Sequence, residues 1–493
     1  MKEVTTHTWE KCNADQAIWN RSKEDISDDE YQDFFKLINK RSDNASRWSH
    51  FDAEGNINFK SLVYLPDEVP DFLKHGDLTR ARSNVKLYVR KVLISDEFDL
   101  LPRYMSFVSG VVDSDDLPLN VNRETLQESK IIAIIRKKVT RKVIDMIKSL
   151  SEEELPEPEE NEEEIDEDGN VIEDAPKEKP VHPYIEWYSK FHPSIKMGIM
   201  EDEANQKRLA KLIRFKSSKS DGEWTSFEEY VSRMKDSQKQ IFFLAGPDID
   251  DIEKSPFMDK FREKDIEVIY FTEAADEYMI QALREFDGKS FKTISSEGVD
   301  LDTEDEKDES LRREKAYKEK FKGFLKFMNK FYGNKVMSVN ISKRLSNVPA
   351  IISSSAYGQS ANQERIMRAQ AFAHNQDPRM DMGLGAMRTL EINPRHPFIN
   401  KLHELIPVGD DGVDEDGEMP ELSTEIKDAL WNLLDTALLS GGYPVSEGRG
   451  FNNRMLRTIK NQLKVESTAL LPEIEVPLEE DVPPEPEDEN EEL

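Results

Sequence analysis

Two stretches of this chain cannot build a hydrophobic core, and they fix where folded bodies can lie. Ser151–Pro176 carries 14 carboxylates and no Lys or Arg, and Pro472–Leu493 carries 11 and none. Ordering either would crowd like charges with almost no apolar surface to bury, so both read as solvated segments. These 25 acids hold most of the formal net charge of -32, and the rest of the 493 residues sums to -7, an ordinary value for globular material. The acidic balance argues against nucleic acid or an anionic membrane as the main partner. Length suggests about three domains at roughly 150 residues each.

Other composition narrows the class further. Cys12 is the only cysteine, so no intramolecular disulfide and no cysteine metal cluster can form. His7, His50, His75, His182, His192, His374, His396 and His403 show no HExxH or related spacing, so no metal is expected. No apolar run approaches the roughly 18 residues that span a bilayer, so membrane insertion is not expected. The N-terminus lacks a basic region followed by an apolar one; a secretory-pathway protein with this sequence would be missing its start.

Periodicity supplies a coarse fold. Ile57–Leu65 and Val85–Ile94 are rich in β-branched and aromatic residues and read as strands; Asp28–Leu37 and Ile131–Leu150 read as helices. In the second helix Ile131, Ile135, Val139, Val143, Ile147 and Leu150 make one stripe, opposite a basic side with Lys130, Lys137, Lys138, Arg141 and Lys148. After a polar helical stretch from Tyr184 to Met234 comes an alternation. Gln240–Ala245 is a strand, Asp251–Lys264 a helix, Glu267–Thr272 a strand, Ala275–Glu285 a helix and Lys289–Ser295 a strand. This predicts a small, mostly parallel α/β layer. Ala245-Gly-Pro247 lacks the spacing of a phosphate-cradling loop. Val299–Ser310 reads as a second acidic connector. Near the C-terminus Ile426, Leu430, Leu433, Leu434, Ala437 and Leu438 repeat at helical spacing and stop at Gly441-Gly442. Met455, Leu456, Ile459 and Leu463 form a second stripe, which could close an internal hairpin or pair with another chain.

One loop stands out chemically. Leu117-Pro-Leu-Asn-Val-Asn-Arg-Glu-Thr-Leu-Gln127 opens on a proline, carries Asn120, Arg123 and Gln127, and runs into the basic helix. A loop pinned at a helix start can hold an arginine in fixed geometry, and the planar guanidinium suits phosphate oxygens. An ordinary solvated surface arginine is the plain alternative.

The surrounding blocks resemble the ninety-kilodalton heat-shock protein chaperone family. Gly110–Gln127 is similar to the catalytic loop of its middle domain, and Val85-Lys-Leu-Tyr-Val-Arg-Lys-Val92 to a core strand there. Asp276-Glu-Tyr278 with Glu285-Phe-Asp-Gly-Lys289 fits that domain's second half. Asn362-Gln-Glu-Arg-Ile-Met-Arg-Ala-Gln370 and Glu391-Ile-Asn-Pro-Arg-His-Pro397 fit its C-terminal domain. The blocks keep family order over nearly the whole chain and resemble most the form found in the endoplasmic reticulum.

The resemblance implies a multi-domain fold, α/β plus mostly helical. A middle domain would carry large and small αβα layers joined by helices, and an α+β dimerisation domain would follow. The implied divisions are 1–150 for the large α/β part, 151–180 for an acidic insertion that the family usually lacks, and 181–302 for a helical linker and small α/β part. A connector at 303–313, the dimerisation domain at 314–466 and an acidic tail at 467–493 complete the chain. The implied activity is that of an ATP-dependent chaperone for unfolded or partly folded clients. Arg123 would contact the terminal phosphate of ATP, supported by Asn120 and Gln127; Asn122 stands where the family commonly has Ser. The family's nucleotide pocket lies in an N-terminal domain that nothing in this chain matches. ATP and magnesium are therefore expected only through such a domain, with no hydrolysis by this chain alone.

Trp19 occupies the position of a family tryptophan linked to client contact, with a core aromatic as the alternative. Met380, Met382, Leu384 and Met387 form a flexible apolar cluster of the kind that suits varied partners, with core packing as the alternative. Gln359 and Gln363 replace a tryptophan and a methionine of the family. Leu430, Leu433, Leu434, Leu438, Met455, Ile459 and Leu463 would line a four-helix interface in a homodimer. Co-chaperones are further possible partners. Asn20-Arg-Ser22, Asn44-Ala-Ser46 and Asn340-Ile-Ser342 fit the glycosylation triplet, and Asn490-Glu-Glu-Leu493 is a loose relative of a retrieval signal. The expected compartment is the endoplasmic reticulum lumen, with the cytoplasm as alternative. Two other readings stay open: a dimeric client-binding scaffold without ATPase activity, and a low-affinity calcium buffer built on the acidic tracts.

Overall fold

The computed structural model describes residues 16–55, 57–74, 84–95, 99–117, 130–154, 181–355, 358–373, 387–413, 418–445 and 447–465. Three small mixed sheets, each covered by helices, make up its architecture.

The first sheet follows α1 (Asp28–Asn39), which starts at a capping box between Ser27 and Glu30. It contains β1 (Ala45–Ala53), β2 (Phe59–Pro66), β3 (Asn84–Val89), β4 (Val92–Ser95) and β5 (Ser109–Asp113), in the order β1-β2-β5-β3-β4; α2 (Asp71–Lys74) lies between β2 and β3. Only β3 and β5 pair in parallel. The stretch read as one strand over Val85–Ile94 is a hairpin. Its turn residues Arg90 and Lys91 hold φ of 50° and 66°. Neither is Gly, Asn or Asp, so the usual turn signal is missing.

β2 is buried on both faces. Leu62 and Tyr64 face α1 with Trp19, Tyr31 and Phe35, while Val63 and Leu65 face a larger core. That core includes Ile135, Val139, Val143 and Ile147 of α3 (Lys130–Ser151) and Trp187, Phe191 and Ile195 of α4 (Pro183–Glu201). It continues without a break into the second sheet through Ile241, Phe243 and Ile269. The acidic stretch between α3 and α4 therefore interrupts the sequence and not the core.

The second unit adds α5 (Gln206–Ala210), β6 (Lys216–Ser217), α6 (Phe227–Arg233), β7 (Gln240–Ala245), α7 (Ile249–Lys254), α8 (Asp259–Glu263), β8 (Ile269–Phe271), α9 (Ala274–Leu283), β9 (Glu285–Phe286) and β10 (Lys289–Thr293). Strand order is β6-β8-β7-β10-β9, parallel at β8-β7-β10 and antiparallel at both edges. The apolar run Gln240-Ile-Phe-Phe-Leu-Ala245 reflects a strand covered on both sides: Ile241 and Phe243 point to the large core, Phe242 and Leu244 to Ile252, Phe257 and Phe261. The single helix expected over Asp251–Lys264 is two, α7 and α8, separated at Ser255-Pro256; proline removes a backbone donor and clashes with the preceding turn.

The expected acidic connector is a helix. α10 (Glu304–Lys320) begins at a capping box between Thr303 and Glu306 and carries Arg313–Glu309 and Lys318–Glu314 pairs at four-residue spacing. It leads into α11 (Lys322–Tyr332), β11 (Ser338–Ile341), β12 (Ala350–Ser354), α12 (Ala361–Ala373), β13 (Arg388–Ile392), α13 (Pro397–Leu405), α14 (Thr424–Ser440) and α15 (Gly448–Leu463). The third sheet, β11-β13-β12, packs Val339, Ile352, Leu390 and Ile392 against α11 and α14. Among the described residues, no helix is long and apolar enough to cross a membrane.

Candidate functional site

The arginine loop is reached from β5. Leu117, its first residue, is buried in the large core. Just before it, Asp113 accepts a hydrogen bond from Trp19 Nε1 at 3.0 Å and from the Lys91 backbone N–H at 3.3 Å. Ser114 Oγ donates to the Asn58 carbonyl at 2.8 Å, and Asp116 accepts from Asn58 N–H at 2.7 Å. Four hydrogen bonds from three separate segments thus fix where the loop leaves the sheet. At its far end, Ile132 and Ile135 anchor the first turns of α3 in the core. Asn120, Arg123 and Gln127 themselves lie outside the described residues.

Trp19 is 7% exposed and packs on Tyr88, with ring centroids 4.8 Å apart, and on Phe34. Its side chain packs in the core beneath α1, and its indole holds the carboxylate that starts the loop. Sequence reading missed Asp113 and Asn58 as loop anchors. Asp113 is 94 positions from Trp19, and nothing local marks the pair.

Met380, Met382 and Leu384 also lie outside the described residues. Met387 is described and half exposed; its carbonyl accepts from Ser355 N–H at 2.9 Å. The preceding helix, α12, is pinned by polar contacts. Ser360 Oγ and Asn362 Nδ2 donate to Glu277 of α9 at 2.6 and 2.9 Å. Burial pushes the Glu277 carboxyl up, and those two donors oppose it. Further along α12, the buried Glu364 pairs with Arg388 of β13, whose guanidinium lies over the Tyr443 ring at 4.6 Å. Gln359 offers its carbonyl to Tyr443 Oη at 3.1 Å, and Gln363 Oε1 accepts from Ser360 N–H at 3.3 Å. Gln363 thus acts through its side chain, whereas Gln359 contributes only its backbone carbonyl and its Oε1 is buried with no hydrogen-bond partner among the described residues. In the third sheet, burial raises the Glu391 carboxyl but the bidentate Arg344 outweighs it and leaves it below the usual range.

The two C-terminal stripes have different fates. Leu430, Leu433, Leu434 and Leu438 are 0, 3, 3 and 6% exposed, covered by their own chain's sheet and by α11. They are core residues of their own chain here, where the resemblance implied that they line a four-helix interface between two copies. The sheet and α11 of the same chain bury that stripe. The helix ends where a Cβ on Gly441 would sit 2.8 Å from the Ile352 carbonyl oxygen.

α15 is the opposite case. Met455, Leu456, Ile459 and Leu463 are 37, 51, 45 and 68% exposed. Polar contacts hold the helix to α14: Arg454 pairs with buried Asp435, and Arg457 reaches both oxygens of Asp428 at 2.7 Å. At 100° per residue, Arg454 and Arg457 lie on the side of α15 opposite the apolar stripe. That stripe therefore points away from the body. Sequence reading missed the two arginine clamps, although Arg454 and Arg457 at i and i+3 are legible as one face. Among the described residues no three His, Cys, Asp or Glu side chains gather to hold a metal.

The family model described as Hsp90 protein matches residues 1–492. An endoplasmin homolog of Hordeum vulgare is 40% identical over 479 residues, covering 96% of this chain and 56% of the relative. Endoplasmin homologs of Catharanthus roseus and Arabidopsis thaliana are 39% and 38% identical over 473 residues, covering 95% of this chain and 55% and 54% of each relative. The chain spans about half the length of these curated relatives.

Proposed function

The chain belongs to the Hsp90 protein family, and on that premise we propose that it acts within an ATP-dependent chaperone of the endoplasmin type. In that role it holds partly folded clients, pairs with a second copy, and supplies Arg123 to the terminal phosphate of a bound nucleotide. The observation that carries this reading is the family match over residues 1–492.

The chain's own chemical part is modest. A positioned guanidinium stabilises charge that grows on the transferring phosphoryl group. The anchoring of Asp113, Ser114 and Asp116 supports a loop that begins from one fixed point. No described residue is asked to bind adenine, ribose or magnesium; those contacts belong to a nucleotide-binding domain. Pairing rests on the outward stripe of α15, and client capture on Met387 with the apolar residues that precede it. The endoplasmin-type relatives support a place in the endoplasmic reticulum lumen.

A client assay tests the chaperone reading without nucleotide. The purified 493-residue chain at equimolar ratio suppresses light scattering from a chemically denatured client diluted into buffer. Replacing Met380, Met382, Leu384 and Met387 together by Ser reduces that suppression while leaving the thermal transition in place. Scattering unchanged by the wild-type chain contradicts the reading.

A further inference from the structure

Three Asn-X-Ser triplets occur in the chain, and the fold treats their asparagines differently. The Nδ2 of Asn20, in Asn20-Arg-Ser22, is closed off from solvent and has no hydrogen-bond partner among the described residues. Asn340-Ile-Ser342 is locked into the third sheet. Asn340 and Ile341 pair with Glu391 and Ile392 of β13, the Ser342 N–H donates to the Ile392 carbonyl at 2.9 Å, and Ser342 Oγ donates to Glu391 at 2.8 Å. Asn340 itself is exposed, with Nδ2 donating to Ser338 Oγ at 3.2 Å.

Asn44-Ala-Ser46 stands apart from both. It leads from the turn after α1 into the edge strand β1, and Ser46 falls at the register shift between Ala45 and Arg47, where the ladder with β2 skips a residue. The backbone here is held on both sides. Asp67 N–H donates to the Asn44 carbonyl at 3.2 Å, and the Gln32 amide braces Ala45, at 2.9 Å from its carbonyl and 2.8 Å from its N–H. The Asn44 side chain is exposed and makes no hydrogen bond among the described residues. Lys36, Leu37, Lys40, Arg41, Ser42 and Asp43, just before it, line a shallow open depression. Leu37 is 72% exposed, the most exposed large apolar side chain among the described residues.

We propose that Asn44 is the acceptor of an N-linked oligosaccharide and that Asn20 stays bare in the folded protein. The assignment rests on the reading that the chain works in the endoplasmic reticulum lumen, where the donor, an oligosaccharide on a lipid pyrophosphate, is met. The Asn44 amide nitrogen bonds to C1 of the first sugar and the C1–O bond to the pyrophosphate breaks. The lipid pyrophosphate leaves with that electron pair, and the amide proton passes to a base of the transferase. The Ser46 hydroxyl completes the recognised triplet. Transfer takes place on extended chain, so the fold decides which products persist. At Asn44 the sugar meets solvent and displaces no hydrogen bond of the side chain; at Asn20 it would have to open the enclosure around Nδ2. A bulky, hydrated oligosaccharide beside Leu37 covers apolar surface and keeps this end of α1 clear of other proteins.

Translation of the full chain behind a cleavable signal peptide, in the presence of microsomes, tests the acceptor whatever the protein's natural compartment. Protection from added protease selects the translocated molecules. Enzymatic removal of the glycan in heavy-oxygen water turns a glycan-bearing Asn into an Asp with a heavy oxygen, read by peptide mass spectrometry. The label is expected at Asn44, and severalfold less of it at Asn20 in chains that resist limited proteolysis after detergent release. Asn44→Gln removes one step of the gel shift and leaves the proteolysis pattern unchanged. An unlabelled Asn44 in protected chains overturns the proposal, and so does equal label at Asn20 and Asn44 in the proteolysis-resistant chains. The same peptide from the protein isolated from its own cells is expected to carry the label. A bare Asn44 in protein from the lumenal fraction overturns the proposal alone; protein recovered outside the lumen and bare at Asn44 overturns the lumenal reading with it.

Discussion

Replacing Arg123 with alanine is expected to cut ATP turnover about 10³-fold when the chain works together with a nucleotide-binding domain of its family. An arginine that meets the terminal phosphate contributes mainly as charge spreads in the transition state, so kcat falls and nucleotide affinity changes little. Lysine in its place restores only part of the rate, because a point charge cannot reproduce the two-pronged geometry. Single-turnover hydrolysis with the wild type, Arg123→Ala and Arg123→Lys measures this. A loss below about tenfold in the alanine variant removes the proposed role.

A glutamate at Leu433 is expected to unfold the C-terminal body. Leu433 is 3% exposed, in one apolar core cluster with Leu390, Ile352, Leu430 and Leu434. The substitution loses the burial of a leucine, worth about 2–5 kcal/mol in cores, and adds the cost of an unpaired buried carboxylate, several kcal/mol more. Together these approach the whole stability of a typical domain, about 5–15 kcal/mol. The expected result is loss of the cooperative thermal transition of the third sheet and its helices, read by near-ultraviolet circular dichroism. A folded variant with a normal transition shows that α14 is less enclosed than its packing indicates.

The contrast between α14 and α15 shows what a sequence can and cannot convey. Periodicity located both helices and the stop at Gly441-Gly442, because apolar spacing and a C-terminal glycine act locally. Which stripe meets its own sheet was not legible. Leu430 and Leu433 share one core cluster with Ile352 and Leu390, residues far away in sequence. The same limit hid Trp19–Asp113, although each residue was visible in its own motif. Local signals failed where chemistry was atypical: the Arg90-Lys91 turn has no glycine, and Pro256 divides what reads as one amphipathic run. The α10 segment reads as a solvated acidic stretch, yet its capping box and four-residue ion pairs suffice for a helix that buries little. The arginine loop is the converse. Its motif was the clearest signal in the chain, and the structure describes its two anchors while Arg123 itself lies outside the described residues.

The central claim is that this chain works as one half of a dimer whose seam is the outward face of α15. Each stripe of Met455, Leu456, Ile459 and Leu463 is too exposed to be a core and too continuous to be incidental. A two-fold arrangement would cover both stripes with one interface. Unlike Leu433, Ile459 and Leu463 can take a charge without harm to the monomer's core. Sedimentation equilibrium of the wild type and of Ile459→Glu/Leu463→Glu at micromolar concentration is the direct measurement. The account predicts a wild-type dimer near twice 57.0 kDa and a folded variant at 57.0 kDa. A monomeric wild type, or a variant that remains dimeric, contradicts it.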